Sequence, residues 1–171
     1  MPGGHLATAI ALGVGAYAST GSPNLAAGCF AGGFLIDFDH YLDYLVFERQ
    51  WRKPSPADFL RYSFAGRPQW LVLPLHSLEL MTLLTVVAVS VRNPFLIGYL
   101  AGAAMHLGFD MAINGDYALR RPILFYLFSY RAKRGFRANE LLDVTVKPGS
   151  GAHLFREFFQ WRPLTERRKL H

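Results

Sequence analysis

The chain predicts an all-α protein, a membrane-embedded up-down bundle of four main helices with short amphipathic helices around it. Composition supports this class, because 51% of the 171 residues are apolar and only 18% are charged, unlike a typical soluble protein. The length is that of one domain with its own core. Four apolar runs separated by turn-forming residues define the main helices: 5–19, 23–37, 70–91 and 95–113.

The first two runs predict a helical hairpin. Residues 5–19 are rich in alanine and stop at a Thr-Gly-Ser-Pro turn, where Ser22 can cap and Pro23 can open the next helix. Three glycines in residues 23–37 permit close helix contact. Both runs are shorter than the roughly 20 residues of a full membrane span. We therefore expect them to be tilted, partly inserted or packed inside the bundle.

The third and fourth runs predict a second hairpin. Residues 70–91 are apolar except for His76 and Glu79, and as one helix they are long enough to cross a bilayer. An Arg-Asn-Pro break precedes residues 95–113, which form a run of similar length. Short turns within each pair predict antiparallel neighbours.

The remaining segments are basic and aromatic. We assign residues 1–114 to a helical bundle in which 41–67 is a basic and aromatic connection carrying a short amphipathic helix around Pro56–Tyr62. Residues 115–171 form a basic C-terminal region that packs on the bundle or on the membrane surface, with one more short helix in HLFREFFQW at 153–161.

Charge and cysteine content narrow the partners. A net charge of +6 and a pI near 9.7 predict an anionic partner, for which lipid headgroups and nucleic acid both qualify. The apolar runs favour a bilayer with anionic headgroups over nucleic acid. The single Cys29 excludes an internal disulfide and a cysteine-based zinc site. The N-terminus lacks the basic region of a cleavable signal peptide.

Ligand-type side chains flank the apolar runs in four separate fragments. Imidazole and carboxylate are the usual ligands of a hydrolytic divalent metal. In an up-down arrangement all of them fall at one end of the bundle, which predicts a shared metal site. The seven candidate ligands are His5, Asp37, Asp39, His40, His76, His106 and Asp110.

Each candidate also has a structural interpretation. His76 alone could be a hydrogen-bonded interior histidine, and His106 with Asp110, one helical turn apart, could be a core pair. Glu79 could be a further ligand, a general base or an interhelical salt-bridge partner. The coincidence of these groups at one end of the bundle favours the metal site.

The distribution of positive charge predicts the orientation. Residues 41–67 and the C-terminal region carry nearly all the lysine and arginine, whereas the turn at 20–22 is uncharged. The positive-inside rule then places the ligand-bearing end and the C-terminus on the cytoplasmic face of the cell inner membrane.

The ligand fragments resemble a known family. Read as GGHL, IDFDH, LHS and GYLAGAAMHLGFD, they are similar in order to the motifs of the predicted membrane-bound metal-dependent hydrolases, the YdjM-like inner-membrane proteins. The resemblance covers residues 3–114 and implies that the matched histidines and aspartates bind metal. That family has been likened to zinc-dependent phospholipase C. This chain departs from its pattern before His76, where a His-Arg-Gly segment is replaced by apolar residues, and at Ile36, where proline is common.

We expect metal-assisted hydrolysis of a phosphoester or a lipid-like substrate. We expect these ligands to hold one or two divalent ions. Zinc is the first choice, and manganese or iron would also suit the carboxylates. Asp39 or Glu79 would accept the proton of water. Cationic side chains of the connection, Arg52, Lys53 and Arg67, would neutralise a phosphate.

Two other classes of protein stay open at this point. One is a non-enzymatic membrane protein with a structural or transport metal site, although the opposite end of the bundle has only Ser19, Thr20 and Asn24 as polar residues. The other is a soluble helical protein that binds nucleic acid through its basic tail.

Overall fold

The computed structural model describes residues 2–52, 54–64, 68–114, 119–142 and 153–159, and within them the all-α prediction is confirmed. Two isolated β-bridges, Trp70 with Arg137 and Leu119 with Leu142, accompany the helices. Short 3₁₀ turns cover Leu35–Asp37 and Gln50–Arg52. The α-helices are α1 (Pro2–Thr20), α2 (Pro23–Gly33), α3 (Phe38–Val46), α4 (Pro56–Phe64), α5 (Leu78–Val91), α6 (Pro94–Asn114), α7 (Pro122–Phe125), α8 (Phe128–Lys133), α9 (Ala138–Leu141) and α10 (Leu154–Phe159).

Helix α2 packs against both α1 and α6, and α5 packs against α6. The turn between α1 and α2 has the predicted cap, because the Ser22 hydroxyl accepts a hydrogen bond from the Leu25 amide at 3.2 Å and Pro23 opens the helix. The Asn93 side chain caps α6 in the same way, accepting from the amides of Phe95 and Leu96. The two predicted helix pairs, α1 with α2 and α5 with α6, are therefore hairpins joined by short turns.

Glycines bring α2 and α6 into backbone contact. They recur at four-residue spacing on both helices, and a Cβ atom added at any of them would overlap a carbonyl oxygen of the facing helix. Only glycine permits this approach, so the crossing of the two helices is fixed closely. The pairs of glycine and facing residue are Gly28 with Phe95, Gly32 with Tyr99, Gly98 with Leu25 and Gly102 with Cys29.

The third predicted helix is shorter than expected. Residues 70–77 are not helical, and α5 begins only at Leu78, so the prediction of one membrane-spanning helix over 70–91 was wrong. Pro74 disfavours helical geometry at the residue before it, and Leu73 adopts a left-handed conformation with φ of 45°. His76 consequently lies in the segment before the helix.

One helix within the described residues is long and apolar enough to cross a membrane. It covers Pro94–Ala112, with a mean hydropathy of 1.3, and 33% of it is buried inside the chain. A core helix of a soluble protein shares such length and composition, but it is mostly buried. Large apolar side chains are exposed on α1, α5 and α6 alike, among them Ile10, Val14, Tyr17, Leu83, Val86, Val89 and Ile97.

Residues 119–142, which we call the C-terminal layer, supply much of the hydrophobic core. Backbone hydrogen bonds tie this layer to the segment before α5: the Leu71 amide donates to the Phe136 carbonyl at 2.9 Å, and the Leu78 amide donates to the Tyr126 carbonyl at 2.8 Å. The layer therefore builds the wall behind His76. The core cluster consists of Leu71, Leu73, Leu107, Phe125, Tyr126, Ala138 and Leu141.

Candidate metal centre

All seven predicted ligands come together in space. They form three overlapping groups, and within each group the possible ligand atoms lie within 4.8 Å of one another. Four different parts of the chain contribute: His5 from α1, Asp37, Asp39 and His40 from the 3₁₀ turn and α3, His76 from the segment before α5, and His106 and Asp110 from α6. Convergence of this many ligand-type groups supports the predicted site.

The centre of the cluster is formed by two imidazoles and two carboxylates. The Nε2 atoms of His76 and His106 lie 3.2 Å apart. Asp37 Oδ1 lies 3.5 and 3.4 Å from these nitrogens, and Asp110 Oδ2 lies 3.8 and 3.5 Å from them. Two ligands of one tetrahedral zinc ion, each bound at about 2.1 Å, lie about 3.4 Å apart. The atoms of Asp37, His76 and His106 are therefore spaced as ligands of a single ion, and Asp110 belongs to a second group with His5 and His106.

Hydrogen bonds on the far side of each ring orient these imidazoles. His106 Nδ1 lies 3.0 Å from the Gly33 carbonyl oxygen, and His76 Nδ1 lies 3.0 Å from Asp39 Oδ2. Because both oxygens accept, each Nδ1 carries a hydrogen and each Nε2 faces the cluster. This is the arrangement that partners of metal-binding histidines usually impose.

Asp39 lies behind His76 and is fully buried. Its Oδ2 accepts from the amides of Leu75 and His76 at 3.0 and 3.2 Å, as well as from the His76 ring. Its Oδ1 is buried without a hydrogen-bond partner. Asp39 thus orients His76 and its backbone and leaves one oxygen unsatisfied inside the cluster.

His5 closes another side of the cluster. Its Nε2 lies 3.2 Å from Asp110 Oδ1, and its ring stacks on His106 with the ring centres 3.9 Å apart. Its Nδ1 is the second buried atom of the cluster without a hydrogen-bond partner. Since buried polar atoms are normally satisfied, the two unpartnered atoms fit a site built to hold a cation.

The cluster is accessible from one edge. The side chains of Asp37 and His40 are 30% and 38% exposed, whereas those of His76, His106 and Asp110 are at most 12% exposed. His40 Nε2 lies 3.8 Å from Asp37 Oδ1. At this edge His40 also lines an aromatic cavity, whose wall includes Asp43, Tyr44, Phe59, Tyr62 and Trp70.

The charge state of the metal-free cluster follows from its hydrogen bonds. Burial lowers the pKa of His76, but the carboxylates of Asp37 and Asp39 outweigh burial and raise it to about 9. Burial acts to raise the pKa of Asp37, but hydrogen bonds with His106 and His76 bring it well below its ordinary value. His76 of the metal-free cluster is therefore held as an imidazolium beside carboxylates, and a cation that binds its Nε2 must displace a proton.

The other predicted functional residues lie apart from this cluster or have other partners. The Glu79 carboxylate accepts from the Ser77 hydroxyl at 2.9 Å and from the amides of Phe128 and Ser129 at 2.8 and 3.0 Å, so it caps α8. Arg52 is exposed, with its guanidinium carbon 4.9 Å from the centre of the Trp51 ring. Lys53 and Arg67 lie outside the described residues.

Sequence reasoning missed Asp43, which is buried one helical turn after Asp39 on α3. Its Oδ2 accepts from the amides of Val72 and Leu73 at 2.6 and 3.1 Å. Burial raises the pKa of Asp43 to about 6, against the effect of these two hydrogen bonds. The four-residue spacing from Asp39 was a signal for this role, because it places both carboxylates on one helix face.

Sequence reasoning also missed Arg131, which belongs to the predicted basic C-terminal region. Its side chain is fully buried and donates to backbone carbonyls around His76. The aromatic residues near it in sequence, Phe125 and Phe128, were the only hint, since both rings pack near its guanidinium group.

Comparison of the chain with models of protein families gives no match, and neither curated proteins nor solved structures match it.

Proposed function

We propose that this chain is a membrane-bound, metal-dependent hydrolase that acts on a phosphoester or a lipid-like ester. The observation that supports it most is the convergence of Asp37, His76 and His106 at ligand spacing, with Asp110 beside both imidazoles. The resemblance of the four ligand motifs to the predicted membrane-bound metal-dependent hydrolases agrees with this proposal.

An open edge favours a catalytic centre over a purely structural one. Structural metal sites are closed by protein ligands, whereas catalytic sites keep a position for water or substrate. Here the buried ligands His76, His106 and Asp110 hold one side, and the half-exposed Asp37 and His40 border the accessible edge. Substrate would enter from that edge.

The proposed chemistry assigns a task to each group. A bound divalent cation would lower the pKa of a water molecule and polarise a phosphoryl or acyl oxygen. Asp37 would hold the cation through Oδ1 and accept the water proton on its other carboxylate oxygen, at the accessible edge. Asp39 and Glu79, the earlier candidates for this step, already accept several hydrogen bonds each. Zinc suits the three to four imidazoles best, and manganese or iron suits the carboxylates.

The proposed setting is the cell inner membrane, with the metal centre at its cytoplasmic surface. Exposed apolar side chains on α1, α5 and α6 would contact lipid, and basic residues of the connection would contact anionic headgroups. Arg52, Lys53 and Arg67 are proposed to neutralise the substrate phosphate. A site at the surface would reach a headgroup ester without extracting the whole lipid.

Purified protein in detergent tests the proposal. We expect bound zinc, manganese or iron, hydrolysis of phosphodiester or lipid-ester substrates, loss of activity with a chelator and recovery when metal is restored. His106→Ala should abolish turnover and metal binding. The exposed His153 provides the matched control, because His153→Ala removes an imidazole outside the cluster. Tight metal binding without turnover of any such substrate would make the centre structural.

A further inference from the structure

We infer that Arg131 is a positioning residue of the metal centre, which holds the backbone of residues 72–76 and through it the ring of His76. This inference rests on the proposed metal centre. Arg131 lies on α8 in the C-terminal layer, outside the part of the chain that carries the ligand motifs.

The guanidinium group of Arg131 binds three carbonyls of the segment before α5. Nε donates to the Val72 carbonyl at 3.2 Å, one terminal nitrogen donates to Leu73 at 2.8 Å, and the other donates to His76 at 3.1 Å. The nitrogen that binds His76 also donates to the Phe125 carbonyl of α7. One side chain therefore joins the His76 segment to the C-terminal layer.

Two carboxylates of α3 bind the backbone amides of the same segment. Asp43 accepts from the amides of Val72 and Leu73, and Asp39 accepts from those of Leu75 and His76. Within the segment, the His76 amide donates to the Leu73 carbonyl at 3.1 Å, and Leu73 is held in a left-handed conformation. Beyond this turn, α3 carboxylates hold the segment on one side and Arg131 holds it on the other.

A structural purpose alone does not explain a charge at this position. Arg131 has no exposed surface, and burying a charged group costs several kcal/mol unless it is compensated. Carbonyl dipoles, the negative charges of Asp39 and Asp43, and the rings of Phe125 and Phe128 at 5.4 and 5.8 Å supply the compensation. Well-packed apolar residues often stabilise a core equally well, so stability alone does not require an arginine here. The planar guanidinium group can instead bind several carbonyls at once, which fixes the backbone path of the segment.

Loss of Arg131 should act on the metal through His76. Without the guanidinium group, the carbonyls of Val72, Leu73 and His76 lose the hydrogen bonds that it donates, and the segment can relax. His76 then leaves the position in which Asp39 holds its Nδ1 and its Nε2 faces Asp37, Asp110 and His106. Removing a residue that orients a ligand typically weakens metal binding by about 10- to 100-fold.

Cobalt(II) substitution separates positioning from general stability, because the visible spectrum of cobalt reports its ligands. Full-length wild-type protein, Arg131→Met and Arg131→Lys are compared in detergent, with cobalt affinity measured by competition against a chromophoric chelator. Arg134→Met is the matched control, since Arg134 follows the same helix, is 42% exposed and lies over the Tyr130 ring.

We expect Arg131→Met to bind cobalt about 10- to 100-fold more weakly, with an altered visible spectrum. Arg131→Lys should lie between it and wild type, because a lysine keeps the charge but lacks the fork that reaches several carbonyls. Arg134→Met should behave as wild type. Helical circular dichroism of each metal-free variant establishes that it is folded, and Arg131→Lys carries the comparison if Arg131→Met does not fold.

Two results would overturn the inference in different ways. An unchanged cobalt spectrum and affinity in folded Arg131 variants would remove the positioning role while leaving the metal centre intact. Failure of the wild-type protein itself to bind cobalt or zinc would overturn the metal centre and this role together.

Discussion

The Nδ1 atom of His106 lies 3.0 Å from the carbonyl oxygen of Gly33, so the contact between α2 and α6 sets the orientation of a candidate metal ligand. The bond crosses the point where the two helices meet through their glycines. The packing of α2 on α6 and the geometry of the candidate metal centre are therefore coupled. A change in the crossing of these helices should alter the affinity of the centre for metal.

Gly32→Ala tests this coupling. A Cβ atom at Gly32 would overlap the Tyr99 carbonyl of α6, so the helices must separate. We expect a loss of about 1–3 kcal/mol in the free energy of unfolding, as for other overpacked sites. Metal affinity should fall as well, because His106 shifts relative to Gly33. Gly15→Ala is the control, since nothing lies within 4 Å of a Cβ atom there. Equal stability and metal affinity in the two variants would contradict the coupling.

Glu79→Ala distinguishes two roles for that carboxylate. Its bonds to the amides of Phe128 and Ser129 indicate a cap on α8. We expect a loss of about 1 kcal/mol in the free energy of unfolding, typical of a removed helix cap, while metal content stays unchanged. Thermal unfolding and metal analysis measure both quantities. A variant with full stability and full metal content but no turnover would instead restore Glu79 as the general base.

The convergence of the seven candidate ligands could be predicted from the order and polarity of the helices. Short turns force neighbouring helices to run in opposite directions, so ligands at the start of one run and at the end of the next must meet. His5 and His106, 101 positions apart in the chain, stack on each other because α1 and α6 both pack against α2. The prediction required the order and polarity of the helices but no detail of their packing.

The support behind the ligands could not be predicted in the same way. The segment before α5 is apolar like a helix, and its non-helical path depends on tertiary hydrogen bonds to Asp39, Asp43 and Arg131 and to the backbone of the C-terminal layer. Arg131 has the same local sequence character as the exposed Arg134. Its burial depends on the fold of the C-terminal layer, which local pattern does not encode.

Metal affinity should increase with pH up to about 9. In the metal-free protein the pKa of His76 is raised from 6.5 to about 9, so below that value a cation displaces its proton. For each proton that the metal must displace, the apparent metal affinity falls about tenfold for every pH unit below 9. The raised pKa also stabilises the metal-free fold fully below pH 6.5, and this contribution is lost as the pH rises through 9.

Cobalt or zinc titrations and chemical unfolding of the metal-free protein, each between pH 6 and about 9.5, measure the two trends. They should run in opposite directions. A pH-independent affinity over this range would show that His76 enters the complex without losing a proton, contrary to its assignment as a ligand.

A lysine on the apolar face of α5 distinguishes lipid from water as its surroundings. Val86 is 61% exposed and lies within a row of exposed apolar side chains on that helix. If α5 faces hydrocarbon, Val86→Lys places a charge there at a cost of about 2.5–3.5 kcal/mol, and the yield of protein in the membrane fraction should fall sharply. If α5 faces water, the same change is neutral or improves solubility.

Ile123→Lys is the matched control, because Ile123 is 70% exposed but lies in the C-terminal layer. Carbonate extraction of membranes carrying each variant gives the measurement. Full membrane retention of Val86→Lys, or release of the wild-type protein without detergent, would favour a soluble helical protein, whereas selective loss of Val86→Lys would place α5 in the bilayer.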